Sequence, residues 1–200
     1  MREAPTQLEL RTLMGREVGT SIPDLARLRI EVFRGFPYLY DGTVDYERKY
    51  LQTYARAPSS LFVLVTHADR VVGASTAVSL VEAEPIFRAP FDEVGIAAER
   101  VLYFGESVLE RSYRGLGIGH RFFDAREAHA ARLGHDVTAF CAVERSLNHP
   151  ACPAGYRPLD EFWTARGYRR MDAMRIMYGW RDVGEPEETA KPMVFWVRGV

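Results

Sequence analysis

The sequence predicts one domain of the α/β (α+β) class, residues 1–200, with a mixed sheet of about seven strands flanked by helices. Three observations predict it. The hydrophobic period switches between helical steps and strand alternation, giving the order β-α-α-β-β-β-α-β-α-β-β. Strands dominate the middle of the chain. Between one of them and a helix, "YRGLGIGHRF" (113–122) places three glycines at alternate positions.

Taken in order, residues 7–19 alternate through Leu8 and Leu10, predicting a strand and then a turn. In "SIPDLARLRIEVF", Ser21 stands as N-cap, with Pro23 and Asp24 in the first turn, and Leu25, Leu28, Val32 and Phe33 supply an apolar face. "GFPYLYDG" (35–42) breaks that helix. "DYERKYLQTYARA" predicts a second, with Tyr46, Tyr50 and Tyr54 at four-residue steps. "LFVLVTHADRVVGASTAVSLV" reads as a hairpin about "HADR". Residues 84–100, with two prolines and a glycine, read as irregular, and "VLYFGESVL" as one strand interrupted by Gly105. After the glycine loop, Phe122, Ala125, His129 and Leu133 mark a helix closed by Gly134. "HDVTAFCAV" is a strand and "PLDEFWTARGY" a short helix. "AMRIMYGW" and "PMVFWVRG" are the last strands, joined by "GEPEETAK". No repeat or linker divides the chain.

With 47% apolar and 26% charged residues, the composition is that of a globular protein. A net charge of −1 and no dense basic run argue against nucleic acid or an acidic membrane as partner. Cys141 and Cys152 form no C-x-x-C pair, and sparse thiols fit a reducing compartment. No signal-like start and no apolar run of about 20 residues occurs, so a cytoplasmic location is expected.

A strand, a glycine-rich turn and a helix N-terminus together make an anion site, because the first helical N–H groups are unpaired and the helix dipole favours negative charge. A P-loop would need a Lys-Ser/Thr pair, which is absent. A dinucleotide fingerprint would need glycine where His120 stands. What remains is Arg114-x-x-Gly117-x-Gly119, with an extra Gly115. Here the chain resembles the GNAT-type N-acetyltransferase superfamily, whose acetyl-CoA pyrophosphate loop reads [QR]-x-x-G-x-[GA] between a strand and a helix. "FWTARGY" is similar to that superfamily's later F-Y-x-x-x-G-[FY] motif, and the element order matches over nearly the whole chain. A glycine-rich turn packed closely on the sheet is the alternative, but three alternate glycines cost conformational entropy with no packing return.

The resemblance implies a strongly twisted sheet and direct acetyl transfer from acetyl-CoA to an amine, without a covalent acyl-enzyme or a metal. Arg114, Gly115, Gly117 and Gly119 would bind pyrophosphate, with the Leu116 and Ile118 amides and His120 beside them. The pantetheine would run along Val108 and Leu109, where an oxyanion-stabilising N–H is expected. Glu106, on the strand entering the loop, is the first candidate base, its alternative being a surface or salt-bridged glutamate. Glu144, after "HDVTAFCAV", is the second, acting through a water. Trp163 occupies the position of the usual acid tyrosine, and Tyr156 is the substitute. Phe36, Tyr38 and Tyr40 would wall the acceptor pocket, against plain packing of a long connection. Cys141, His149 and Cys152 are too unevenly spaced for a metal site.

The acceptor is expected to be a small-molecule or peptide amine. Two other classes stay open: a non-catalytic acyl-CoA-binding module on the same fold, and an interaction protein pairing through its last two strands. A homodimer through those strands is compatible with the enzyme reading.

Overall fold

The computed structural model describes residues 8–199. Gln7, first residue of the expected opening strand, lies outside the described residues, as do the other ends of the expected 1–200 domain. Eight strands form one sheet: β1 (Glu9–Met14), β2 (Leu61–His67), β3 (Arg70–Ser79), β4 (Val101–Tyr103), β5 (Ser107–Leu109), β6 (Val137–Val143), β7 (Arg169–Arg181) and β8 (Glu188–Arg198). Helices α1 (Ile22–Phe33), α2 (Val44–Arg56), α3 (Pro85–Glu93), α4 (Ile118–Leu133) and α5 (Asp160–Ala165) flank it. The strand order is β1-β2-β3-β4-β6-β8-β7, with β5 pairing β3, and among these pairings only β4–β6 is parallel.

The two faces bury separate cores. Phe62, Leu64, Tyr103 and Phe195 pack under α1, α2 and α3, whereas Val63, Val65, Leu102, Phe104 and Trp196 pack against α4 and α5. Adjacent strand residues thus feed opposite cores, as the two-residue period requires. Because both faces are covered, β2 and β3 read as nearly continuous apolar runs. Their hairpin turns through Ala68 and Asp69, both at positive φ, a backbone twist that matches the strands.

Four expectations need correction. Ser21 makes no capping bond: a 3-10 turn over Gly15–Ser21 runs into α1 and leaves Ser21 buried in helical geometry. Residues 84–100 are not irregular, since Pro85 opens α3, where its fixed φ suits a helix start, and Phe87 and Phe91 anchor it one turn apart. "VLYFGESVL" is two strands rather than one, which gives eight strands against the expected count of about seven. Finally, β8 lies inside the sheet, bonded to β6 on one side and β7 on the other. It has no free edge for a partner chain, and only β7 of that hairpin does.

The break between β4 and β5 organises everything that follows. Gly105 N–H donates to Thr76 O and Thr76 N–H donates to Glu106 O, so two residues oppose one. The last rung toward β6 is Phe104 N–H to Ala139 O at 2.8 Å. Beyond it β5 keeps only β3, and the sheet opens as a wedge between β5 and β6.

Candidate active site

On one side of the bulge lies a cavity of about 900 Å³. Its floor is built by α1 and α2. Arg29 stands one turn from Leu25 and from Phe33, on the buried face of α1, and Glu47 faces it from α2. The Arg29 guanidinium bonds Glu47 Oε2 through Nε and reaches Glu106 Oε2 at 2.7 Å through Nη1. Tyr50 also donates to Glu106 Oε2, at 3.3 Å. Burial pulls the Arg29 pKa down, but Glu106 and Glu47 more than offset it, so the guanidinium is held firmly charged. Burial pushes the Tyr50 phenol well up and keeps it a donor. Sequence reasoning missed Arg29 and Glu47. The available signal was a charge at an apolar-face position of each helix.

Glu106 is placed by the bulge. Arg126 of α4 is buried across the sheet, where its Nη1 donates to Glu106 O at 3.2 Å and its guanidinium lies 4.2 Å from the Phe104 ring centre. Burial draws the Arg126 pKa down to about 10. Backbone alternation then continues along β5. Glu106 O and Glu110 N–H are used by β3, so Val108, between them, also faces β3. Ser107 and Leu109 therefore turn their N–H and C=O groups to the open wedge. Of the two residues expected to supply an N–H there, Leu109 has the right direction and Val108 does not.

The wedge leads to the glycine loop. Gly115 and Gly117 have φ of +80° and +76°, and a Cβ at either would meet nothing within 4 Å. Gly117 is the N-cap of α4, with no side-chain cap and no acidic residue in the first turn. The Ile118, Gly119 and His120 amides thus face outward without helical partners. Arg114 is exposed beside them, its Nε 3.3 Å from Leu109 O, and Leu116 is exposed at the loop tip. The His120 ring is turned toward α5, packing edge-on to Phe162 at 4.9 Å with Arg166 Nη1 at 3.3 Å. These features fit a phosphate-bearing ligand: an electropositive helix end, an arginine and a left-handed glycine backbone open to its surroundings.

The aromatic loop 35–42 divides. Tyr40 bridges Asp182, Asp41 N–H donates to Arg181 O at 2.9 Å, and Val183 N–H donates to Leu39 O at 2.7 Å. This short pairing with β7 puts Tyr38 and Tyr40 into the cavity wall, with Tyr178 and Trp180 of β7. Phe36 is not among the lining residues and packs edge-on to Tyr156 at 4.7 Å. Tyr156 lies outside the cavity, within electrostatic reach of Arg114. Burial and Asp160 raise its pKa and keep it a phenol.

Glu144 is elsewhere. Hydrogen bonding to Arg175, joined by Arg170, holds its carboxyl below the usual range, and it does not line the cavity. The structure does not bring it together with Glu106, which is also salt-bridged, the alternative the sequence left open for it, but inside the cavity. Trp163 packs on Phe140 and Trp196 and is structural. Burial pushes the Cys141 thiol up to about 12, away from nucleophilic use. Among the described residues, no His, Cys, Asp and Glu group is arranged to hold a metal, and no helix is long and apolar enough to cross a membrane.

None of the curated proteins matches the chain. Solved structures of the same fold include a ribosomal-protein-alanine N-acetyltransferase from Brucella melitensis, 11% identical, with TM-score 0.63 over 96% of this chain and 99% of that one. Another is a GCN5-related N-acetyltransferase from Kribbella flavida, 16% identical, with TM-score 0.59 over 98% and 100%. A third is an N-acetyltransferase from Staphylococcus aureus Mu50, 12% identical, with TM-score 0.61 over 96% and 98%. The family model for acetyltransferases of the GNAT type matches residues 25–154, which hold Arg29, Glu106 and the whole glycine loop, and the chain belongs to the GNAT acetyltransferase family.

Proposed function

We propose that this protein moves an acetyl group from acetyl-CoA to an amine by direct attack. The observation that carries the reading is the position of Glu106. It sits at the bulge, where an aromatic cavity suited to an amine meets the open β5 edge that leads to the glycine loop. The donor's phosphates would be held by Arg114 and by the loop and helix amides from Gly115 to His120, with its pantetheine along Ser107 and Leu109.

The acceptor arrives as an ammonium and gives one proton to Glu106. Its lone pair forms the C–N bond to the thioester carbon. The C–S bond breaks, the thiolate departs with the electron pair, and the second proton, shed by the new amide nitrogen, reaches that thiolate through solvent or by way of Tyr156. Charge gathering on the carbonyl oxygen is met by the Leu109 N–H, a contribution worth about a hundredfold in rate. Two unpaired thiols, Cys141 and Cys152, support a cytoplasmic setting, and a homodimer would form through the β7 edge.

The test is calorimetric titration with acetyl-CoA, followed by thiol release with a panel of amines for the parent and for Glu106→Gln. Micromolar acetyl-CoA binding is expected, with turnover lowered at least a hundredfold in the variant. Binding without turnover on any amine would favour a non-catalytic acyl-CoA-binding module. No binding would sink the donor assignment.

A further inference from the structure

The charges around the cavity say more about the acceptor than its family does. Five carboxylates line it (Asp41, Glu47, Glu84, Glu106 and Glu188) against two guanidiniums, Arg29 and Arg181. Both guanidiniums are already engaged, Arg29 by Glu47 and Glu106 in the floor, and Arg181 by Asp41 at the rim. Asp41 also binds Arg34, from outside the lining, so the rim is not negative. The negative surplus falls into two places. In the floor, one arginine serves two buried carboxylates, and Glu47 Oε1 is fully buried with no hydrogen-bond partner. At the mouth, Glu84 is exposed and is not paired with a cation among the described residues.

Between floor and mouth runs a wall of rings. Phe87 and Tyr178 stack at 5.4 Å, and Tyr178 and Trp180 lie 6.5 Å apart. Such faces accept methylene chains and attract cations. Glu188 also borders the cavity, but its carboxylate lies where a Gly179 Cβ would stand, on the side of β7 away from the Tyr178 and Trp180 rings.

Resting on the acyltransferase reading above, we infer that the acceptor is a small aliphatic di- or polyamine. One nitrogen is delivered to Glu106. The carbon chain follows the Phe87–Trp180 wall, and a second ammonium is held at the mouth by Glu84. An amino acid is disfavoured, because its carboxylate would lie between Glu84 and a floor whose one guanidinium already serves two carboxylates.

The experiment uses three molecules that share a four-carbon amine skeleton: n-butylamine, putrescine and ornithine, which is putrescine with a carboxylate. Turnover is followed by thiol release from acetyl-CoA, and binding by calorimetry without acetyl-CoA. Putrescine is expected to exceed butylamine in kcat/KM by roughly tenfold, and ornithine by roughly a hundredfold. The Glu84→Gln variant should bring the putrescine-to-butylamine ratio toward one. Butylamine or ornithine turned over as well as putrescine, or a ratio indifferent to Glu84→Gln, would overturn the inference and leave acetyl transfer standing. Putrescine binding that depends on Glu84, with no amine acetylated, would uphold the pocket and overturn the proposed reaction. Neither binding nor turnover would remove both.

Discussion

Replacing Gly105 with alanine tests whether the bulge positions the base. A Cβ there would lie 2.6 Å from Thr76 Oγ1, 2.6 Å from the Tyr54 hydroxyl oxygen and 3.0 Å from Tyr54 Cζ. Non-bonded heavy atoms rest at about 3.5 Å, so two contacts are short by nearly 1 Å. Thr76 cannot retreat cheaply, because its own N–H and C=O hold the bulge, and Tyr54 is buried beside Tyr50. Overpacking of this kind costs about 1–3 kcal/mol. For a chain of this size each kcal/mol lowers Tm by about 2–4 °C. A shift of Glu106 by about 1 Å would cost roughly a hundredfold in kcat. Thermal melting and thiol release measure the two effects. Adding Tyr54→Phe removes one of the two oxygens and should restore part of both. A parental Tm, or a lowered Tm with unchanged kcat, would refute the claim that the bulge sets the geometry of the base.

Other outcomes follow from neighbouring features. Gly117→Glu forces an L-residue into φ +76° at a local cost of about 1–2 kcal/mol and sets a carboxylate on the loop, so acetyl-CoA affinity should be lost while the fold persists; unchanged affinity in calorimetry would sink the pyrophosphate assignment. Arg29→Met leaves Glu47 and Glu106 buried without their cation and should cost about 3–5 kcal/mol in denaturant unfolding; a loss under about 1 kcal/mol would show that the cluster is not a structural unit. His129 is held below its ordinary pKa of 6.5 by burial, with Nε2 2.8 Å from Ser59 O. Its folded value lies below its unfolded one, so the unfolded chain binds the extra proton first. The neutral ring's contribution is full above 6.5 and is lost as pH falls below it. Comparing pH-dependent melting of the parent with that of His129→Gln isolates this term, and identical slopes below 6.5 would exclude it.

How much of this was legible in the sequence depended on how local its cause was. The hairpin, the helix after the glycine loop and the loop itself follow from short-range chemistry: two turn residues, a 3.6 period, and glycines where φ is positive. α3 was hidden because its prolines read as breakers, although Pro85 stands where a helix loses nothing by lacking an N–H. Glu106 and the Tyr38–Tyr40 pair were legible through the family resemblance. Glu144 was not excluded by sequence, because Arg170 and Arg175 reach it from a strand 26 and 31 residues away. The same holds for the floor cluster, where Arg29 and Glu106 meet across most of the first half of the chain.

The β7–β8 hairpin has a consequence beyond filling the sheet. The elements assigned to the donor (the bulge, the β5 edge and the glycine loop) all lie within the span the family model recognises, 25–154. Tyr178, Gly179, Trp180 and Glu188, which shape one side of the acceptor pocket, lie after it. On the proposed assignment, one wall of the acceptor pocket therefore lies outside the stretch that carries the donor site, while other lining residues, such as Tyr38, Tyr40, Glu84 and Phe87, lie within it. Substitutions in the hairpin are predicted to retune which amine is accepted without disturbing how the acyl donor is held, which makes the hairpin a natural unit to exchange when redirecting this scaffold to a new acceptor.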